Sequence, residues 1–264
     1  MRIEQVDGQS AVTRLQAHSP LRLLAPRSAG KSAWVFTSTF GGGLLAGDRI
    51  DLEVEVGQGA TCLLGTQSQT KVYRSDQPLA ASQVLNAQVA IDATLIALPD
   101  AIACFRNANF AQQQRIDLAP SASLCWLDWF TSGRRARGER WAFRSYISRA
   151  DITVGNKLIF RDALRLDATD GKIDHPYRMG NCDCFATALL IGPRFANYAK
   201  ELLIWSSTQP AAMQESVIFA ASPVSEGVVL RVAGATTEAV GRWLRNRLGC
   251  ITQELGDDPW ERKW

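Results

Sequence analysis

The plainest signal along the chain is alternation. From position 49 to 56, Ile50, Leu52, Val54 and Val56 are apolar, while Arg49, Asp51, Glu53 and Glu55 are charged. That is the period-2 pattern of a strand with one wet face. Gly57-Gln58-Gly59 follows as a turn. Further strands are predicted at about 60–66 and 70–74, and Asp76-Gln77-Pro78 then punctuates the chain. Alternation returns at Leu85, Ala87, Val89 and Ile91, and short apolar runs follow at 94–98, 124–130, 141–147 and 157–160, with an earlier one at 34–40. Strand signals spaced by roughly ten residues point to a sandwich, a barrel or a β-solenoid.

The last third changes period. Positions 194–204 place Phe195, Tyr198, Leu202 and Leu203 on one helical face. Positions 236–248 form the stronger helix. Thr236 suits the N-cap, Glu238 falls in the first turn, and Val240, Trp243, Leu244 and Leu248 make the stripe. Arg245 and Arg247 lie near its end, and Gly249 is placed to terminate it. The expected fold is therefore mainly β with two helices in the C-terminal third. The absence of βαβ alternation argues against a doubly wound parallel sheet.

Composition narrows the class. The 264 residues are 46% hydrophobic and 21% charged, which excludes a disordered, collagenous or coiled-coil chain. No apolar stretch approaches the ~20 residues that cross a bilayer, and the first residues, Met1-Arg2-Ile3-Glu4-Gln5, lack a secretory apolar core. A soluble, cytoplasmic protein is expected. The net charge of +3 is too small to imply a nucleic-acid partner. Six cysteines without a signal peptide do not read as a disulfide framework. The two histidines, His18 and His175, leave little room for a His-based triad or a His-rich metal site.

Five segments carry candidate chemistry. Positions 25–32, APRSAGKS, end like a phosphate-binding loop, but Ala25 stands where the first glycine belongs and a strand pattern follows the Lys-Ser. The segment reads as a surface turn. GGGLLAGD at 41–48 is the densest glycine cluster and reads as a tight bend between strands. Asp48, held by so rigid a loop, could also face a cation. TQSQTKVYR at 66–74, read as one strand, would set Gln67, Gln69 and Lys71 on one face and Ser68, Thr70 and Val72 on the other. Such polarity fits a packed hydrogen-bond network, a wet channel or a solvated face.

The fourth segment, WLDWFTSGRRARGERW at 126–141, has four arginines in seven residues between tryptophans, with Asp128 and Glu139 as its acids. Arginine and tryptophan are enriched at protein–protein hot spots. Arg134, Arg135, Arg137 and Trp129 are therefore interface candidates, alongside an exposed hairpin braced by ion pairs. The fifth is Asn181-Cys182-Asp183-Cys184, with His175 seven residues before Cys182. Cys182 and Cys184 could bind a soft metal, or could simply pack as small apolar residues on a strand.

These segments, together with LPDAIACF at 98–105, RDALRLD at 161–167, MGNCDCFATALLIGP at 179–193 and GVVLRVAGA at 227–235, form an ordered set. It resembles the UreD (also called UreH) family of urease accessory proteins, in its eukaryotic-type branch. The resemblance covers nearly the whole chain, and implies one UreD-like domain over 1–264 with a β-solenoid-like stack and two helices. It also implies a non-catalytic role, in which such proteins help to assemble the nickel centre of urease. They bind apo-urease on one side and UreF on the other, and UreF recruits the GTPase UreG. The resemblance further implies an interior path for nickel, with no tightly bound cofactor and only transient metal. Scattered oxygen and amide ligands would suit such a path better than a thiolate cage. Asp48, Thr66, Gln67, Gln69 and Glu139 are of that type and lie in the matching segments. No nucleic-acid or membrane partner is expected. Two other classes stay open at this point: a β-solenoid carbohydrate-active enzyme, supported by eight tryptophans, and a nucleic-acid binder acting through residues 134–140.

Overall fold

The structure is a computed structural model that describes residues 1–77, 79–210, 216–225 and 227–261. Pro78, the last residue of the expected break at 76–78, lies outside the described residues. In chain order the first strands are β1 (Arg2–Val6), β2 (Gln9–Arg14), β3 (Leu21–Leu24), β4 (Ala33–Thr39), β5 (Arg49–Val56) and β6 (Thr61–Thr66). Next come β7 (Thr70–Val72), β8 (Ala81–Val89), β9 (Thr94–Leu98), β10 (Ile102–Cys104), β11 (Asn109–Leu118) and β12 (Ser123–Thr131). β13 (Ser145–Val154), β14 (Lys157–Asp167) and β15 (Cys184–Ile191) lead to α1 (Ala196–Ser207). The chain closes with β16 (Val217–Val224), β17 (Gly227–Gly234), α2 (Thr237–Arg247) and α3 (Cys250–Leu255).

The strands form two sheets. One has the order β14-β13-β11-β8-β5-β1-β2, and the other runs β16-β17-β15-β12-β9-β6-β4-β3. The pairs β5–β8, β8–β11 and β11–β13 are parallel, as are β4–β6, β6–β9 and β9–β12. The chain thus winds from one sheet to the other and back, laying each new coil beside the last. This is a β-solenoid-like stack. It reaches parallel pairing by coiling rather than by helical crossovers, which is why the missing βαβ pattern did not preclude parallel strands. At one end β10 pairs in parallel with both β7 and β12, adding a short third wall.

Burial explains the two sequence textures. β5 alternates exposed and buried because its outer face meets water. β9 is buried at all five positions, since the second sheet is covered on both faces. Its inner face packs against the first sheet, through residues such as Leu64, Leu95 and Trp126. Its outer face packs against the helices, with Trp34, Ile96 and Leu127 meeting Phe195, Leu202 and Leu244.

Among the described residues the helical third contains three α-helices where the pattern predicted two. α2 matches its prediction closely: the Thr236 hydroxyl accepts a hydrogen bond from Ala239 N at 3.1 Å, an N-cap bond. Gly249 does end the helical register, but α3 begins again one residue later. The expected strand at 141–147 starts only at Ser145. Before it, Trp141 takes a positive φ of 50° and donates its backbone N–H to Ser132 O at 2.6 Å, so the chain is looped there. The strands expected at about 60–66 and 70–74 are present as separate elements, so reading 66–74 as one strand does not hold. β6 stops at Thr66, residues 67–69 turn, and β7 covers Thr70–Val72 alone. The segment at 25–32 is a loop clasped to the other chain end. Ala29 N donates to an Asp257 carboxylate oxygen at 2.9 Å, and the Ser32 hydroxyl donates to Leu255 O at 3.0 Å. No helix follows Lys31-Ser32, because β4 begins at Ala33.

Candidate functional site

The inner faces of the two sheets meet in layers, and one layer is polar. On the second sheet the cross-strand register aligns Thr37 with Thr66, Asp128 with Thr187, and Thr187 with Arg231. On the first sheet it aligns Gln83 with Gln112, and Gln112 with Ser148. Alternation carries each of these side chains inward. On one side of this belt lies an aromatic layer, in which Phe130 stacks on Tyr146 with centroids 4.5 Å apart and Phe110 lies 5.7 Å from Tyr146. On the other side lie aliphatic and aromatic residues such as Leu64, Leu85 and Trp126.

A cavity of about 120 Å³ opens into the belt, room for several waters. Thr37, Thr66, Gln69, Gln83, Asp100 and Gln112 are among the side chains on its wall, and Asp128 lies there as well. Near the mouth, Asp100 N donates to the Thr66 hydroxyl at 2.7 Å, and that hydroxyl reaches an Asp100 carboxylate oxygen at 3.2 Å. Deeper in, the Gln112 amide nitrogen donates to both Asp128 oxygens at 2.8 and 2.9 Å, and the Ser148 hydroxyl donates to one of them at 2.8 Å. Past this cluster, the Thr187 hydroxyl donates to Asp162 at 3.2 Å, and the Arg231 guanidinium pairs with the same carboxylate at 3.1 Å.

Asp128 is the chemical centre of the belt. Burial pushes its carboxyl up to about 6, although the hydrogen bonds from Gln112 and Ser148 pull the other way, and the charge of Asp162 adds to the rise. Asp128 is half-buried and lies on the cavity wall. Near neutral pH it is a carboxylate held in low dielectric by neutral donors, able to attract a cation without a fixed counter-ion beside it. The buried Tyr146 phenol is pushed well up, first by burial and then by the Asp128 charge, so it stays a neutral neighbour.

Of the residues nominated from the sequence, Thr66 and Gln69 line the cavity. Gln67 is exposed beyond β6, with its backbone N–H donated to Thr37 O at 2.9 Å. Asp48 does not line the cavity; its carboxylate accepts the Leu45 N–H at 2.8 Å and closes the glycine turn. Glu139 is only 7% exposed and braces the arginine loop. Arg134 Nε donates to it at 2.9 Å, and it accepts the Arg106 backbone N–H at 3.2 Å. The hydrogen bonds from Arg134 hold its carboxyl below the usual range.

Arg135 pairs with the buried Asp183, which also holds Arg140 at 2.6 Å, whereas Arg137 is exposed. Trp129 is 8% exposed and packs beneath α2, with its indole N–H donated to Pro99 O at 2.8 Å. Alternation along β12 turns it to the helix-covered face. Cys184 is buried on that same face, and burial pushes its thiol up. Cys182 sits half-buried in the preceding loop, its thiol also raised by burial. Among the described residues no three His, Cys, Asp or Glu side chains gather as a metal cage. No described helix is long and apolar enough to cross a membrane.

Sequence reasoning missed Asp128 and Gln112 as site residues. Their signal was present: Asp128 interrupts the apolar run 124–130, and Gln112 falls on the core-facing parity of its strand.

The chain matches the family model described as UreD urease accessory protein over residues 1–264. It is similar to a urease accessory protein UreD of Sorangium cellulosum, 44% identical over 98% of this chain and 82% of that one. It is also similar to a UreD of an Anaeromyxobacter species, 45% identical over 98% of this chain and 87% of that one. A urease accessory protein D of rice (Oryza sativa) is 33% identical over 98% of this chain and 94% of its own length.

Proposed function

The chain belongs to the UreD family of urease accessory proteins, and on that premise we propose that it is a non-catalytic factor for assembling the nickel centre of urease. In this reading the whole chain, residues 1–264, works as one domain in the cytoplasm. It bridges apo-urease and UreF, and through UreF it meets the GTPase UreG. Nickel is its cargo, and no cofactor stays tightly bound.

The observation that supports this reading is the polar belt. A β-core gains stability from apolar contacts, and buried polar groups cost free energy unless they are hydrogen-bonded. Here a full layer is spent on Thr, Gln, Ser and Asp side chains beside an open cavity. Such groups can take the place of water around a divalent ion without trapping it. Hydroxyl and amide oxygens bind nickel weakly, and one carboxylate supplies attraction. Thr66 and Gln69 would receive the ion at the mouth, and Gln112 and Asp128 would pass it deeper. Glu139 and Asp48 brace the arginine and glycine loops and would not line this path.

The test is co-expression of the organism's apo-urease with UreF and UreG, with and without this chain, reading urease activity and nickel bound to the purified enzyme. Loss of nickel loading on omission, with recovery of the chain alongside UreF or urease, is the expected result. Full activation without the chain would refute the assembly role.

A further inference from the structure

At the end where the coils turn from the second sheet back to the first, a surface lies outside the interior belt. Phe40, Leu45 and Leu79 are 58, 59 and 56% exposed. Phe40 and Leu45 bracket the glycine loop, and Leu79 reaches within 3.9 Å of where a side chain on Gly47 would begin. Three large apolar side chains this exposed at one place need a covering surface.

The loop is held rigidly. A Cβ on Gly43 would lie 2.6 Å from the Tyr73 ring and 2.7 Å from Lys71 O, so only glycine lets the loop press down here. Tyr73 donates its hydroxyl to Gly41 O at 3.3 Å, its ring meets Phe105 edge-on at 5.3 Å, and the Arg134 guanidinium stacks 3.9 Å over Phe105. The apolar loop is thereby tied to the arginine loop.

Basic side chains edge this surface. Lys71, Arg74, Arg106 and Arg137 are exposed, and none makes an ion pair among the described residues. Backbone bonds put them side by side: Ser75 N donates to Asn107 O at 3.4 Å, and Glu139 accepts the Arg106 N–H. The nearby acids cancel them only in part. Asp48, which accepts the Leu45 N–H, and Asp76, exposed beside Arg74, are the two carboxylates here, against four cations, so the rim stays basic.

We propose that this end is a docking surface for an acidic protein surface, with carboxylates meeting Arg74, Arg106 and Arg137 and apolar side chains covering Phe40, Leu45 and Leu79. Guanidinium groups match carboxylates in a two-pronged geometry, and apolar anchors inside a charged rim are the usual form of a protein interface. A phosphate backbone would gain nothing from the exposed leucines. The inference deepens the assembly reading: it rests on that reading for which proteins to try, and adds the surface and its chemistry.

The experiment uses the full chain against immobilised apo-urease, UreF and the UreF–UreG complex as separate probes. Three variants are compared: R74E/R106E/R137E, F40S/L45S, and a control with the same charge change on other exposed positions, R115E/K157E/K200E. Circular dichroism and a melting curve confirm that each is folded. The expected result is that R74E/R106E/R137E weakens binding to one of the three probes by about tenfold or more and flattens its salt dependence. F40S/L45S should weaken binding to the same probe with the salt dependence kept. The control should stay within about twofold, as expected for scattered surface charges. Equal behaviour of the rim variant and the control overturns the inference, and so does rim-dependent binding of double-stranded DNA with none of the protein probes affected. The two readings fail separately: if omission abolishes nickel loading while the rim variant binds like the control, the docking surface alone is wrong.

Discussion

Replacing Asp128 by asparagine tests the chemistry of the belt directly. In the folded protein the carboxyl titrates at about 6, raised by burial from an ordinary value of 3.8. A raised acid binds more protons folded than unfolded between those two values. Its contribution to stability is therefore greatest below about pH 4 and declines as pH rises through 6. A shift of this size corresponds to about 3 kcal/mol at full value. The amide of the D128N variant cannot ionise. Rotation of the Gln112 amide would let its oxygen accept from the new side chain. The stability difference between D128N and the native chain should then move in favour of D128N by about 2–3 kcal/mol between pH 4 and pH 8. Urea unfolding at a series of pH values measures it, and subtracting the two curves cancels the titration of groups that do not feel the Asp128 charge. Parallel curves would refute the claim that Asp128 sits charged in low dielectric near neutral pH. In the assembly assay the same variant should lower nickel loading at equal protein level, because the interior loses its carboxylate.

Gly43→Ala should destabilise the fold by about 1–3 kcal/mol, because its Cβ would press on the Lys71 backbone carbonyl as well as the Tyr73 ring. Gly41→Ala meets no atom but must hold φ at +79°, so about 1 kcal/mol is expected; urea midpoints for the pair separate crowding from backbone strain. Thr236→Ala removes the cap on Ala239 N and should cost about 1 kcal/mol, seen as a lower melting temperature and faster hydrogen exchange at the start of α2. Glu139→Ala leaves the Arg106 N–H without its acceptor and should cost about 1–3 kcal/mol near neutral pH. Because the folded Glu139 pKa is lowered, first by its hydrogen bonds from Arg134, the part of the cost tied to its charge should be present above the ordinary value near 4.5 and be lost as pH falls through the depressed one, which acid-range unfolding curves would show.

Much of the architecture could be read locally, and the reasons are visible in particular elements. β5 was legible to the residue because water wets one of its faces, so each side chain's polarity reports its direction. α2 was legible because its cap, stripe and terminal arginines agree. The short β1, β2, β3 and β10 were not foreseen, since three to six residues hold too little pattern to show a period. The strands at 60–66 and 70–74 were legible as separate elements, but where the second of them pairs was not. β7 branches off the main row of the second sheet to pair in parallel with β10.

The candidate site divides in the same way. Thr66 and Gln69 were found as polar residues in a strand-rich segment, and they do line the cavity. Asp128 and Gln112 are sixteen positions apart on different sheets, and no local pattern sets them face to face. Arg134 and Glu139 are close in sequence, yet the distant Arg106 N–H completes their cluster. Trp129 carried the composition of an interface anchor, but the parity of β12 turned it toward the helices.

The β-rich class, the C-terminal helices, the turn chemistry and the family were all legible in the chain, because each is written in neighbouring residues or in ordered motifs. Three-dimensional packing settled the rest: that parallel strands coil into a stack, and that polar side chains from widely separated strands share one layer. Register between distant strands is set by how two whole sheets bury their apolar faces together, and that cooperative choice cannot be read from any short stretch of chain.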